Sequence, residues 1–145
     1  MDNKTPVVAL NVQYIKDLSL EIPHAPQIFS KLTTAPKISV DLNIDAKKIE
    51  DTQFEVTLNV RINADVNNEK LFILELSYGS ISTITLPEDQ IETILFVEIP
   101  QLLFPYARQI ISSNLAEAGL PPLLLSPVDF AKMYQTKKEN QQQVN

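Results

Sequence analysis

Cysteine is absent from this chain, tryptophan is absent, and glycine and histidine are scarce: two glycines and one histidine in 145 residues. Each scarcity closes off a class of chemistry. Without cysteine there is no disulfide framework, no thiol nucleophile and no thiolate metal site. With only Gly79 and Gly119, there is no glycine-rich loop to cradle a phosphate. His24 stands alone in the stretch Pro23-His24-Ala25-Pro26. A triad or zinc site needs partners at suitable spacing, so His24 reads as a loop residue and no metal, cofactor or catalytic residue is expected. Basic charge is short: 12 Lys and Arg against 18 Asp and Glu give a net charge of −6. An acidic surface repels phosphate backbones, which disfavours nucleic acid, and it suits a basic partner. Fully apolar runs are only a few residues long, so no membrane span is expected. Acidic charge also argues against a helix lying on a membrane surface. The start, MDNKTPVVALNVQ, has no basic stretch leading into an apolar run, so no secretory signal is read there.

What the chain does have is apolar surface. Its composition is 44% hydrophobic and 21% charged, enough for the core of one domain. Ile38, Val40, Leu42 and Ile44 alternate with Ser39, Asp41, Asn43 and Asp45. After a polar connection, Phe54, Val56, Leu58, Val60, Ile62 and Ala64 alternate with Glu55, Thr57, Asn59, Arg61, Asn63 and Asp65. Period two over this length predicts antiparallel strands with one face packed and one wet. Asn67-Asn68 supplies a turn. A third strand of this run spans Lys70 to about Thr85, with Gly79 marking a bulge or a close backbone approach. Leu71 and Ile73 are expected to face away from the helices. An earlier strand lies within 8–22, where Leu18, Leu20 and Ile22 oppose Asp17, Ser19 and Glu21. A proline-punctuated, extended crossover joins it to the next strand and carries an exposed Ile28-Phe29.

The second half reads as helix. Pro87-Glu88-Asp89 is a start signal, and Pro100 is expected to end that short helix. A longer helix follows over about 101–118, with Pro105 in its first turn and Gly119 as a left-handed cap. Pro121-Pro122-Leu123-Leu124-Leu125 is extended. Ser126-Pro127-Val128-Asp129 predicts the next start, with Ser126 as N-cap. A polar tail over 139–145 is expected to be disordered. Strands first and helices after predict an α+β fold: a four-stranded antiparallel sheet with C-terminal helices packed on one face, in a single domain over 1–138.

Two features bear on function. The acids Asp17, Glu21, Asp41, Asp45, Glu55, Asp65 and Glu75 fall opposite the apolar set, so the wet sheet face concentrates negative potential. The apolar excess exceeds what one domain buries, which points to subunit contacts or a binding groove. Three readings compete. One is a protein that holds others. One is a scaffolding oligomer whose apolar surface is all interface. The third is a small enzyme, for which no converging set of polar groups is visible.

The blocks Leu103-Phe104-Pro105-Tyr106-Ala107-Arg108, then Gly119, Pro122, Leu123 and Leu125, then Pro127-Val128-Asp129-Phe130, closely resemble the bacterial export chaperone family SecB. So does Tyr14-Ile15-Lys16-Asp17-Leu18-Ser19-Leu20-Glu21-Ile22-Pro23-His24-Ala25-Pro26, and the likeness covers roughly 12–134. Ser80 and Ser82 stand where such proteins often carry a second glycine and an aromatic. The resemblance implies a cytoplasmic homotetramer, a dimer of dimers, assembled as a dimer-of-dimers chaperone without enzymatic activity. It implies that unfolded precursor proteins are held for export without ATP and handed to the SecA ATPase. By position it matches Asp17, Glu21 and Glu75 to SecA docking. It matches Ile28, Phe29, Phe104, Tyr106, Leu123 and Leu125 to client binding, and Leu74, Leu76 and Tyr78 to the oligomer interface.

Overall fold

Alternating patterns of this length leave the chain little choice but a sheet. The computed structural model describes residues 5–144. Four long strands, β1 (Val7–Glu21), β2 (Lys37–Glu50), β3 (Gln53–Val66) and β4 (Glu69–Thr85), form one antiparallel sheet in the order β1-β4-β3-β2. Strands β2, β3 and β4 are a meander. Asn67 and Asn68 turn between β3 and β4 with positive φ, 49° and 64°, a conformation asparagine tolerates better than most residues. β1 joins the far side of β4, so residues 22–36 must carry the chain from one edge of the sheet to the other. That crossover is not fully extended, because Gln27–Lys31 coils into a 3₁₀ turn. The turn drives Ile28 completely out of solvent, whereas Phe29 stays 37% exposed. The expectation that both would be exposed holds only for Phe29. A single helical turn points successive side chains in different directions.

Register assigns each strand residue to a face. The helix-side rows read Leu20-Leu74-Ile62-Val40, Leu18-Leu76-Val60-Leu42 and Ile15-Tyr78-Leu58-Ile44 across β1-β4-β3-β2. Leu71 is buried rather than outward-facing. A register shift next to Ala64 inserts an extra β4 residue there, and Leu71 turns into the core alongside Phe72. Ile73 does lie on the opposite face, between Asn63 and Glu21.

The helical half departs from the proline rule. α1 (Glu88–Thr93) does not stop at Pro100. It passes through one π turn, Ile94–Glu98, directly into α2 (Ile99–Glu117). The Ile99 N–H bonds to the Ile94 carbonyl, five residues back. The wider turn moves aside the carbonyl that the Pro100 ring would strike in a regular helix. Pro105 likewise lies inside α2, not in its first turn, on the exposed side where an unbonded carbonyl can reach water. α2 packs across β3 and β4 through Leu103, Ala107, Ile111 and Leu115, all fully buried. Its end is a Schellman cap: the Gly119 N–H bonds to Ala116 at 3.2 Å, the Leu120 N–H to Leu115 at 3.0 Å, and Gly119 has φ 77°. The N-cap of α3 (Phe130–Val144) is Asp129, not Ser126: Asp129 Oδ1 accepts the Lys132 N–H at 3.0 Å. The segment expected to be a disordered tail continues this helix as far as Val144, through Lys, Glu and Gln residues that suit a helix; Asn145 lies outside the described residues.

Candidate functional site

The polar face of the sheet is built by the odd-numbered positions of β2 and β3 and, past the irregularity at Leu71, by those of β4 from Ile73 onward. Its central rows across β1-β4-β3-β2 are Glu21-Ile73-Asn63-Ser39, Ser19-Glu75-Arg61-Asp41, Asp17-Ser77-Asn59-Asn43 and Tyr14-Gly79-Thr57-Asp45. The predicted acids therefore do share one face. Asp17, Glu75, Asp41 and Arg61 line a cleft of about 530 Å3. A neighbouring cleft of about 410 Å3 holds Lys16, Asp45, Lys47 and Glu55. A polar chain spans the floor: the Ser77 hydroxyl donates to Asn59 Oδ1 at 2.7 Å, and Asn59 Nδ2 donates to Asp45 Oδ2 at 2.8 Å.

One end of this face is a knot that sequence reading missed. The Tyr14 hydroxyl donates to Glu55 Oε2, while Lys16 Nζ donates to Glu55 Oε1 at 3.0 Å and Lys47 lies 3.7 Å from the same oxygen. The ring of Tyr14 can lie flat here only because residue 79 has no side chain. Burial raises the Tyr14 pKa to about 12, helped by the Glu55 carboxylate it bonds. The hydrogen bond from Tyr14, then that from Lys16, holds the Glu55 pKa below its usual value. Gly79 signals a close approach in the sequence, but that Tyr14 makes it is set by register.

Apolar surface remains on the subunit, but not where the sequence reading put all of it. Of the six residues matched to client binding, Phe29 and Tyr106 are exposed and Leu123 is half-buried. Ile28, Phe104 and Leu125 are in the core. Phe104 packs edge-on against Phe130, 6.0 Å between centroids, and so joins α2 to α3. Leu123 is pinned beside α2 through its carbonyl, which accepts the Ser112 hydroxyl at 3.1 Å. The Phe29 ring lies 3.7 Å from where a Cβ on Gly119 would be, so the crossover meets the end of α2. Residues not foreseen are also exposed: Leu102 and Leu124 in the helical half, Val7, Val8, Val12 and Ile15 on β1, and Ile38 and Val40 on β2. Leu74, Leu76 and Tyr78 lie on the helix side of β4 and are buried within one subunit. Tyr78 reaches the surface through Tyr106, which stacks on it with centroids 6.5 Å apart. Burial, then Tyr106, raises the Tyr78 pKa.

Among the described residues no cluster of three or more His, Asp or Glu is arranged to hold a metal ion. No helix among them is long and apolar enough to cross a membrane.

Comparison with known proteins places this fold in a family. The chain is 42% identical over 147 residues to the protein-export protein SecB of Granulibacter bethesdensis, covering 95% of this chain and 86% of that one. It is 45% identical over 132 residues to the SecB of Mesorhizobium japonicum, covering 89% and 79%. The fold matches a Mycobacterium tuberculosis SecB-like chaperone, solved in complex with a peptide from an antitoxin, with a TM-score of 0.70 at 12% identity over 83% of this chain and 90% of that one. A family profile described as preprotein translocase subunit SecB covers residues 1–142, essentially the whole of the sheet and helices described above, and the chain therefore belongs to the SecB family of protein-export chaperones.

Proposed function

We propose that the protein works by binding alone: it holds unfolded precursor polypeptides on exposed apolar surface in the bacterial cytoplasm, without ATP and without catalysing a reaction. It then yields them to the SecA ATPase, which docks on the acidic sheet face. The observation that carries this reading is the separation of two surfaces. Asp17, Glu21 and Glu75 stand on the polar face of the sheet. Phe29, Tyr106 and Leu123, with Leu102 and Leu124, stand on the crossover, α2 and the segment after it. Ile28, Phe104 and Leu125 hold these elements in place from beneath.

The energetics favour many weak contacts. Burying one client Leu or Phe side chain contributes about 1.5–3 kcal/mol, and ordering each immobilised side chain costs about 0.5–1.5 kcal/mol. No single contact holds an unfolded chain, but several on one oligomer do, through avidity. A folded client has buried those groups already and does not bind. Mass action alone then keeps the client unfolded. Self-assembly into a dimer of dimers supplies the repeated surface. It is supported by the unpaired outer edge of the 15-residue β1 with Val7, Val8, Val12 and Ile15 exposed along it, since an open edge is a template for pairing. Leu74, Leu76 and Tyr78 contribute by seating α2 and Tyr106.

The test measures three quantities on the intact protein: oligomer mass, binding to one protein in its unfolded and folded forms, and binding to SecA. Phe29→Ser with Tyr106→Ser should weaken capture of the unfolded form about tenfold or more, the loss of two apolar anchors, and leave SecA binding intact. Glu75→Lys should do the reverse. Loss of both activities in either variant would refute the separation. An assembly that does not slow aggregation of an unfolded protein would favour a scaffolding oligomer.

A further inference from the structure

The acidic face carries one arginine at its centre. Arg61 occupies the middle of β3 in the row Ser19-Glu75-Arg61-Asp41, so an acid neighbours it directly on each side. Its Nε lies 3.5 Å from Glu75 Oε1, and the two side chains are 56% and 48% exposed. All three residues line the 530 Å3 cleft together with Asp17. Of the carboxylates matched to docking, Asp17 and Glu21 form no ion pair among the described residues, whereas Glu75 is held by Arg61.

We propose that Arg61 is the protein's own stand-in for a cation of its docking partner: it occupies Glu75 in the free protein and must be displaced toward Asp41 when a basic segment binds. This rests on the reading of the acidic face as a docking surface. The pair is well suited to exchange. Both groups are exposed, so their attraction is screened and easily given up. A guanidinium on a flexible stem, set between two acids, can leave one for the other and remain paired. The consequence is selectivity. A segment with a single cation only trades places with Arg61 and gains little. A segment whose cations also reach Asp17 and Glu21 gains contacts that nothing else occupies. Arg61 thereby acts as a repulsive element against weakly basic sequences.

The experiment titrates full-length protein with a labelled synthetic peptide rich in Lys and Arg, at about 20 mM and about 150 mM salt. Asp17→Asn reports whether the peptide uses this face. Arg61→Gln should tighten binding roughly 1.5- to 5-fold at low salt, the worth of an exposed pair, and the gain should fade at the higher salt. It should shrink when Glu75→Gln is already present. Lys47→Gln removes the same charge from the edge of the face and should tighten binding less, because it leaves the Glu75 site untouched. If Asp17→Asn weakens binding but Arg61→Gln does not tighten it, or tightens it equally with and without Glu75, the stand-in role is wrong while docking on this face survives. If the peptide binds and Asp17→Asn has no effect, or if it does not bind at all, the docking reading fails and Arg61's role with it. Unchanged thermal unfolding of each variant separates these results from loss of fold.

Discussion

One methyl group at position 79 should decide whether the Tyr14 knot is as tight as the structure shows. The Cβ of Gly79→Ala would lie 2.7 Å from Tyr14 Cε2, 2.9 Å from Cζ and 3.1 Å from the hydroxyl oxygen. Carbon atoms settle at about 3.5–4.0 Å, so the ring must withdraw by roughly 0.8 Å or more. Its hydroxyl is tied to Glu55, and withdrawal gives up that bond. A hydrogen bond to a charged group contributes about 1.5–3 kcal/mol. Lys16 and Lys47 still serve Glu55 afterwards, which places the loss near the lower end. Against it, alanine is favoured over glycine within a strand by about 0.5–1 kcal/mol. Gly79→Ala alone should therefore destabilise by about 0.5–1.5 kcal/mol. In a Tyr14→Ala background the obstruction is gone, and the same change should stabilise by about 0.5–1 kcal/mol. Urea unfolding of the four proteins in the cycle measures both steps. An equal shift from Gly79→Ala in the two backgrounds would refute the close approach.

Three further substitutions test the buried face of β4 and the titration of the Tyr14 knot. Leu76 is 1% exposed in the subunit. Leu76→Ala should cost about 2–5 kcal/mol, and Leu76→Arg should unfold the subunit, because an unpaired buried charge adds several kcal/mol more to a total stability of about 5–15 kcal/mol. If Leu76→Arg instead keeps a native circular dichroism melt and only halves the mass seen by light scattering, that face of β4 is packed by a second subunit. Tyr14→Phe tests linkage at both ends of the pH scale. The lowered Glu55 pKa contributes stability above the ordinary carboxylate value that is lost as pH falls through the folded value. The raised Tyr14 pKa contributes stability below the ordinary value of 10.0 that is lost as pH rises toward about 12. Urea midpoints of Tyr14→Phe should vary less with pH at both ends than those of the wild type. Parallel profiles would show that the pair does not titrate as the geometry requires.

The sheet was legible because its signal is local and repeated. Each alternation in β2 and β3 names a face as well as a strand, and the acids followed with it. The helices were less legible because proline was read by its local rule. The π turn at Ile94–Glu98 is a relief that only the three-dimensional chain displays, and it turns two expected helices into one continuous rod. The residues matched to client binding were the least legible in their exposure. Ile28 and Phe29 are adjacent and equally apolar, yet one is in the core and the other at the surface. Phe104 and Tyr106 divide the same way on α2, because residues two apart on a helix point to different sides.

The division between acidic face and core depends most on β1, where simple alternation would fail. Register against β4 shifts twice, between Leu10 and Val12 and again between Ile15 and Asp17. With Ile15 on the helix side opposite Tyr78, an unbroken pleat would place Asp17, Ser19 and Glu21 on that side too, against Leu74 and Leu76. The extra residue Lys16 reverses the parity, so Leu18 and Leu20 turn inward and the two acids turn out beside Glu75. The extra residue Asn11 does the same one step earlier and turns Tyr14 out to face Gly79. Each insertion costs ladder regularity. Together they bring one strand's acids and its tyrosine to the polar face while its leucines, half-buried, pack against the core. The surface proposed to receive the motor thus depends on where β1 breaks its own period, as much as on how many carboxylates it carries.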